Sequence, residues 1–528
     1  MASSMTQPAT AYHSWRESLV SLRHPRVISM LFLGFSAGIP LLLIFSSLSL
    51  WLREAGIERN AVTFFSWAAL AFSFKFVWAP LIDRLPVPFL TRWFGRRRAW
   101  LLVAQTSIIA AILFMALTDP STGADSLTRM ALAAVLLGFS AATQDIVIDA
   151  YRIESAAPRL QALMSSTYIA GYRIGMVVAG AGALYLADLF GSDAGAYNYG
   201  AWRMTYFVMA STMLVGLITT LTIREPETDR SADLHYAPTD YLRLLAVFAV
   251  TAATFAMVFF LGDAPFTGLK TAAGGGVLTG FLLEMLHFAL AVSAGVLIGW
   301  MLVKLGAINR VMARETWVEP ALDFFRRYGL KTALLLLALI GLYRISDIVL
   351  GVISNVFYQD LGFTKSQIAT AVKTFGVFVS IAGGLLGGLL ATRYGVMRIL
   401  MVGAILSSAA QLIFIALANA GANLVLLYIA VGADNLVAGL ASAAFVAFLS
   451  SLTSVSFTAV QYAIFSSLMT LLPKLLGGYS GTIVNGIGYP GFFIFTSLIG
   501  IPVIGLVWLA GKRLAIADRA RMASGAKN

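Results

Sequence analysis

The chain has 528 residues, of which 59% are hydrophobic and 12% charged, with a mean hydropathy of +0.83; a soluble domain carries roughly 25% charged residues, so this chain is built for lipid. With no cysteine there is no disulfide or thiolate metal site, the four histidines (His13, His24, His235, His287) form no ligand pair, and without a GxxxxGK[ST] loop nothing points to an ATP-driven pump. The net charge of +12 reads as a topological signal directed at anionic lipid rather than a nucleic-acid footprint.

Residues 1–26 lack the apolar core and cleavage site of a signal peptide, so the first long apolar run reads as an uncleaved helix. Runs of about 20 apolar residues predict an all-α polytopic membrane protein with fourteen spans. Six come first, at 27–52, 61–82, 99–118, 127–149, 161–187 and 202–223. Two follow at 241–262 and 277–303, and six more at 332–357, 367–391, 398–418, 423–449, 456–477 and 482–511. Threaded from an inside N-terminus, and with residues in the three positions at either end of a span counted with the adjoining loop, the inner segments hold 26 Lys and Arg, the outer ones 6, and the spans 5. That asymmetry places both termini in the cytoplasm. The expected division is a cytoplasmic segment 1–26, a six-helix half 27–223, linkers 224–331 carrying the inserted pair, a second half 332–511 and a basic tail 512–528. Within the second linker, Val318, Leu322, Phe324 and Phe325 beside Arg326 and Arg327 predict an amphipathic helix on the inner leaflet.

The chain repeats itself. Leu52-Arg53-Glu54-Ala55-Gly56-Ile57 after the first span matches Tyr358-Gln359-Asp360-Leu361-Gly362-Phe363 after the ninth. Gln161 with Ser165-Ser166 matches Gln461 with Ser466-Ser467. The offsets of 306 and 300 relate six helices near the start to six near the end. Two such halves, with cargo held between them near the midplane, form the major facilitator layout.

After the second span, Ala79-Pro80-Leu81-Ile82-Asp83-Arg84 and, eleven residues on, Gly95-Arg96-Arg97-Arg98 resemble that superfamily's signature loop. The resemblance implies a cytoplasmic gating loop made of Asp83, Arg84, Arg96, Arg97 and Arg98, with Asp149 expected to latch to Arg84 or Arg98. The second copy, Gly388 to Gly395, has Thr392 where Asp would stand, so a weaker latch is expected there. Overlapping GxxxG pairs at Gly383, Gly384, Gly387 and Gly388 indicate close helix packing. Six further words narrow the family: Leu33-Gly34-Phe35-Ser36-Ala37-Gly38-Ile39-Pro40, Phe74-Lys75-Phe76-Val77-Trp78-Ala79-Pro80, Thr143-Gln144-Asp145-Ile146-Val147-Ile148-Asp149-Ala150, Gly171-Tyr172-Arg173-Ile174-Gly175-Met176, Leu342-Tyr343-Arg344-Ile345-Ser346-Asp347 and Ser442-Ala443-Ala444-Phe445-Val446-Ala447. Together they resemble the AmpG family of muropeptide permeases over about residues 24–223 and 332–515. The resemblance implies a bacterial inner-membrane permease that imports N-acetylglucosaminyl-anhydro-N-acetylmuramyl peptides with protons for cell-wall recycling and feeds β-lactamase induction. A monomer with no cofactor is expected, its partners being the muropeptide, protons and membrane lipid.

Charges at membrane depth are where chemistry is sought, because each costs at least about 2.5–3.5 kcal/mol to insert at a helix centre. Arg173 and Arg344, one per half, are the candidates for anionic cargo groups, since the guanidinium fork fits carboxylates. A salt bridge between Arg344 and Asp347, one turn on, is the equal alternative. Lys373 in the outer third, with Tyr172, Gln144, Asn435 and Gln461, completes the candidate substrate site. Trp67, Trp78, Tyr343, Asn355 and Tyr462 are further aromatic or amide groups that a sugar could use. Asp145, then Asp434 and Asp347, are the proton-coupling candidates, because burial favours the protonated carboxyl. Glu284 and His287 lie in the inserted pair and are assigned to structure or oligomer contact. Transport of another bulky anion, acyl-CoA-like or a drug, is the competing reading. An enzyme would need a nucleophile–base pair that the sequence does not offer.

Overall fold

The computed structural model describes residues 15–57, 65, 70–192, 197–227, 236–272, 277–477 and 480–525. The described elements are helical throughout. Twelve helices among the described residues are long and apolar enough to cross a membrane, and the shorter apolar stretch Val455–Leu471 adds to them. The chain divides into two compact units, Met1–Thr228 with Tyr328–Asn528, and Asp229–Arg327.

The first half begins with α1 (Trp15–Ser21) and α2 (Pro25–Leu42). Pro25 suits the first helical position because no N–H is needed there, and the His24 ring caps the end by accepting from the Arg26 N–H at 3.2 Å. A wide turn, Leu43–Ser47, leads into α3 (Leu48–Glu54). The second span is not the continuous helix expected over 61–82. Its described part is α4 (Leu70–Phe74), a tight turn Lys75–Val77 and α5 (Ala79–Arg84). Pro80 has no N–H for the carbonyl four residues back, at Phe76, and its ring would clash with that carbonyl, which breaks the ladder there. That break turns Lys75 inward. Then come α6 (Leu90–Phe94), α7 (Arg96–Ala116), α8 (Ala124–Ser155) and α9 (Gln161–Val177). After a wide turn, α10 (Ala183–Leu189), α11 (Tyr199–Thr212) and α12 (Leu214–Thr222) complete this half.

The smaller unit contains α13 (Pro238–Ala272), α14 (Val277–Lys304), α15 (Arg310–Ala313) and, after a wide turn, α16 (Glu319–Tyr328). His287 of α14 is sandwiched between the Phe259 and Phe266 rings, with centroids at 4.7 and 4.5 Å, and its Nε2 donates to the Phe259 carbonyl at 2.9 Å. This pins the two inserted helices together. The amphipathic helix is present over α15 and α16, but its buried stripe is Met312, Thr316, Pro320 and Phe324, whereas Val318 is exposed. Its charged side is knit by Glu319, which accepts from both Arg314 and Arg326.

The second half runs α17 (Leu330–Leu342), α18 (Ile345–Asp360), α19 (Lys365–Ile368), a wide turn Ala369–Phe375 and α20 (Gly376–Tyr394). It continues with α21 (Val396–Ala420), α22 (Leu424–Leu452), α23 (Thr458–Gly477) and α24 (Ser480–Gly525), the last bent at Gly488, whose φ of 70° leaves the helical region. The repeat read from the sequence has a structural counterpart. Glu54 accepts from Trp202 Nε1 at 2.7 Å and from the Ser192 hydroxyl at 2.8 Å. Its repeat partner Asp360 accepts from the Tyr489 hydroxyl. In each half, the acid after the first helix ties down an aromatic donor from the sixth.

Two of the family words are the two sides of one seam. A Cβ on Gly38 would stand 2.1 Å from the Tyr172 carbonyl oxygen, and one on Gly171 would stand 1.9 Å from that of Leu31. α2 and α9 therefore touch backbone to backbone, as small-xxx-small faces allow. This contact fixes the rotation of α9 and with it the direction of Arg173. Gly171→Val should consequently destabilise the first half by about 1–3 kcal/mol or more, seen as lost monodispersity of the purified protein; a well-behaved variant would disprove the seam. The second half splits its glycines between two faces. Gly383 and Gly387 meet the Leu436 and Leu440 carbonyls of α22, while a Cβ on Gly388 would stand 1.8 Å from Ser166 Oγ in the other half.

Candidate functional site

Arg173 and Arg344 sit within otherwise apolar helices, yet both side chains are partly exposed. Arg344 gains its freedom from the break between α17 and α18, where it stands at φ −101°, ψ 15°. Beside it Tyr343 is fixed by donating to the Leu400 carbonyl at 2.9 Å and stacking on Phe445 at 4.4 Å. Tyr343 is thus packing that aims its neighbour. The two guanidiniums, one from each half, feel each other's charge. Among the described residues neither forms an ion pair, and the alternative bridge from Arg344 to Asp347 is not made. Asp347 and Asp434 lie within electrostatic range of each other and of Arg344, on the second-half wall. Both are partly exposed, as is Asn435, whose amide donates to the Val431 carbonyl at 3.0 Å. Tyr172 is partly exposed next to Arg173, 6.1 Å from the Tyr168 ring. Lys373 is exposed in the wide turn before α20. Arg344, Asp347 and Asp434 thus form one electrostatic group on the second half, and Arg173 of the first half lies within range of its cation.

Two residues expected in that space are elsewhere. Gln144 is fully buried in the first half, where it accepts from the Ser36 hydroxyl at 3.0 Å. Gln461 is buried at the start of α23, where its side-chain oxygen accepts from the Ser454 N–H at 2.8 Å. An amide in an apolar helix is visible in the sequence, but the face it occupies is not. Trp67 lies outside the described residues, as does the side chain of Glu284. Trp78 donates to the Thr143 hydroxyl at 3.1 Å and packs on Phe139.

At the end of the halves that bears Arg96, Arg97 and Arg98, charges are buried and interlocked. The Asp83 carboxylate accepts from Arg97 at 2.7 Å and from the N–H groups of Ala459 and Val460, at 3.3 and 3.1 Å. These N–H groups belong to the first turn of α23 in the other half, where an anion is favoured by the exposed donors and the helix dipole. Arg97 also holds Glu154 through two bonds of 2.9 and 2.6 Å. Arg96 donates to the Asp83 carbonyl at 2.7 Å, and Arg98 to the carbonyls of Thr220 and Leu221. Arg84, the last residue of α5, is partly exposed. Asp149 does not latch to Arg84 or Arg98. Its carboxylate is taken by Arg152 at 3.0 Å and Lys75 at 3.6 Å, both nearer along the helix bundle. Lys75 also reaches Asp145 at 4.0 Å, and Asp145 accepts from the Tyr168 hydroxyl at 3.4 Å. Arg152 and Glu154 were not singled out from the sequence. Their signal was the i, i+3 spacing of Arg152 from Asp149 on one face of α8.

Glu225, just beyond α12, caps α7 by accepting from the N–H groups of Arg97 and Arg98 at 2.7 and 3.0 Å. The cap needs Gly95: its φ is +82° and a Cβ would meet Glu225 at 2.4 Å. Burial pushes the Glu225 carboxyl above its ordinary value, and the two N–H bonds only partly pull it back. A carboxyl raised in the folded state contributes stability that is full in acid and is lost as pH rises through the folded value. Glu225→Gln should therefore leave thermal stability unchanged or raise it at pH 8 and lower it at pH 4, as read by melting curves across pH. A parallel downward shift at every pH would contradict this.

The Major Facilitator Superfamily model matches residues 27–315, more than half of the chain. A protein of Rickettsia conorii named putative transporter AmpG 4 is 29% identical over 479 residues, covering 91% of this chain and 95% of that one. The anhydromuropeptide permease of Escherichia coli K12 is 29% identical over 488 residues, covering 92% of this chain and 79% of that one. Among solved structures, the proton:xylose symporter XylE superposes with a TM-score of 0.54 at 12% identity, over 94% of this chain and 96% of that one. FucP in its outward conformation gives 0.54 at 12% identity, over 93% and 99%. At that identity the two structures speak to the fold alone.

Proposed function

The chain belongs to the Major Facilitator Superfamily, and we propose that it imports GlcNAc-anhydroMurNAc-peptides across the bacterial inner membrane, driven by protons, for cell-wall recycling. Such import feeds the signal that induces β-lactamase. The carrying observation is the pair Arg173 and Arg344, contributed by different halves and unpaired in mid-span. Unpaired cations at that depth are expensive to insert and make sense as ligands for an anion. A muropeptide supplies carboxylates from its lactyl and peptide parts, which a guanidinium fork binds in bidentate fashion. The similarity to a protein named anhydromuropeptide permease across nine-tenths of the chain supports this cargo. Fold alone would not, since the superfamily carries many solutes.

The arginine-rich end is assigned to the cytoplasm with both termini, following the positive-inside rule. In that orientation the structure is shut toward the cytoplasm, and cargo enters from the periplasm. Asp145 is the first coupling carboxyl and Asp434 with Asp347 the second; the transporter works as a monomer. The test is displacement of labelled anhydromuropeptide from the purified protein. Unlabelled anhydromuropeptide should displace it and an acyl-CoA should not. The opposite ranking would transfer the site to another bulky anion.

A further inference from the structure

At the arginine-rich end, the contacts that Asp83 and Arg152 make across the seam reach uncharged groups. Asp83, Arg97, Lys75, Asp145, Asp149, Arg152 and Glu154 all belong to the first half. From the second half, the N–H groups of Ala459 and Val460 meet Asp83, and the Ser450 hydroxyl and Tyr462 ring meet Arg152. The repeat makes the asymmetry explicit. At the offset of 300 set by Gln161 and Gln461, Phe445, Leu449 and Leu452 stand where the first half has Asp145, Asp149 and Arg152.

Arg152 is the group that crosses the seam. It is fully buried. One Nη donates to the Ser165 hydroxyl at 2.7 Å and to Ser450 of the other half at 2.9 Å, and the other Nη donates to Asp149 at 3.0 Å. Its guanidinium also lies 5.1 Å over the Tyr462 ring, a favourable cation–π position. Nε has no partner among the described residues. A guanidinium so short of water persists only beside a balancing carboxylate. That carboxylate is Asp149, which Arg152 shares with Lys75.

We infer that Arg152 is a positioning residue that ties proton uptake by the α8 carboxylates to parting of the halves at this end. In the closed state Lys75 is divided between Asp145 at 4.0 Å and Asp149 at 3.6 Å. A proton that binds an Asp145 oxygen removes the charge holding Lys75 on that side. Lys75 then turns wholly to Asp149, and Arg152 loses much of its counter-charge. A hydroxyl and a ring cannot hold an unbalanced buried guanidinium, so the seam opens and water reaches Arg152. Release of the proton from Asp145 restores both pairs and recloses the seam. The groups facing these carboxylates are Lys75 from the broken second span, Arg152 on α8 itself, Tyr168 and Tyr172 on α9, and Tyr462 on α23. Of these, Tyr462 alone comes from the second half, so the switch is thrown within the first. The inference rests on the reading of the chain as a proton-driven transporter, but its test needs no cargo.

The chain has no cysteine, so Ser166→Cys supplies a single thiol. Ser166 is fully buried against Gly388 across the seam, and a maleimide reaches it only when the halves part. Rates in liposomes are divided by those of an exposed reference, Ala124→Cys, to remove the thiol's own pH dependence. With Arg152 in place, labelling should be about tenfold faster near pH 5 than near pH 8, the scale of one charged hydrogen bond. Adding Arg152→Met or Asp145→Asn should make it fast and independent of pH, and Arg152→Lys should restore the slow rate and the pH step. Retention of the pH step in either Arg152→Met or Asp145→Asn would overturn the inference. Should Arg152→Met fail to fold, Asp145→Asn and Arg152→Lys still decide it. A cargo other than muropeptide would leave all these rates unchanged, so the two readings fail separately.

Discussion

Arg173→Ala and Arg344→Ala should each reduce muropeptide uptake by about 10- to 100-fold, the loss of one charge-assisted contact to a carboxylate, with the amount of protein in the membrane unchanged. The expectation follows from placement. Each guanidinium lies in the middle of an apolar span, is partly exposed, and has no ion pair among the described residues. Removing a cation that balances a structural carboxylate would leave a buried charge alone and destabilise the fold. Removing Arg173 strands no carboxylate and relieves its repulsion with Arg344. Removing Arg344 takes a cation from near Asp347 and Asp434, but both carboxylates are partly exposed and neither is ion-paired to it. Both variants should therefore still fold and insert while failing to bind cargo. The effect belongs to affinity, so binding by the purified variants should weaken in parallel with uptake. Lys in place of either Arg should recover part of the binding but not all, because an ammonium cannot form the two parallel bonds. Normal uptake in both alanine variants would remove them from the site.

Asp145→Asn should abolish accumulation against a gradient while leaving cargo binding intact. The amide keeps the size of the carboxyl but neither takes up nor releases a proton. Asp145 also holds one side of Lys75, so the variant mimics the protonated state rather than deleting a shape. Two outcomes are separable. If Asp145 carries the coupling proton, uphill uptake is lost and binding becomes insensitive to pH. If it serves only as a counter-ion to Lys75, stability and binding fall together. Full gradient-driven accumulation in Asp145→Asn would transfer the role to Asp434.

The spans and the deep charges were legible in the sequence because the bilayer prices both steeply. An apolar run of span length has few other uses, and an arginine inside one demands an explanation. The halves were legible through flanking polar words, and Glu54 and Asp360 do play matching parts. What the sequence did not reveal is which face a polar group takes. Gln144 and Gln461 look like cavity amides but are buried in internal bonds. The interlock was hidden for a different reason. Arg152 meets Ser450 across 298 positions and Asp83 meets Val460 across 377, and no local spacing encodes contacts of that range. Asp149 was assigned to Arg84 or Arg98, near the signature loop. Its partners are instead Lys75, delivered by the break before Pro80, and Arg152, one turn along its own helix.

Uptake of labelled GlcNAc-anhydroMurNAc-peptide by proteoliposomes containing only this chain decides whether the protein is a proton-driven muropeptide importer. With the outside made acidic relative to the lumen, labelled cargo should accumulate above its external concentration, and a protonophore should collapse that excess to simple equilibration. The account is contradicted if labelled muropeptide never exceeds equilibration under the imposed gradient, or if accumulation survives the protonophore unchanged.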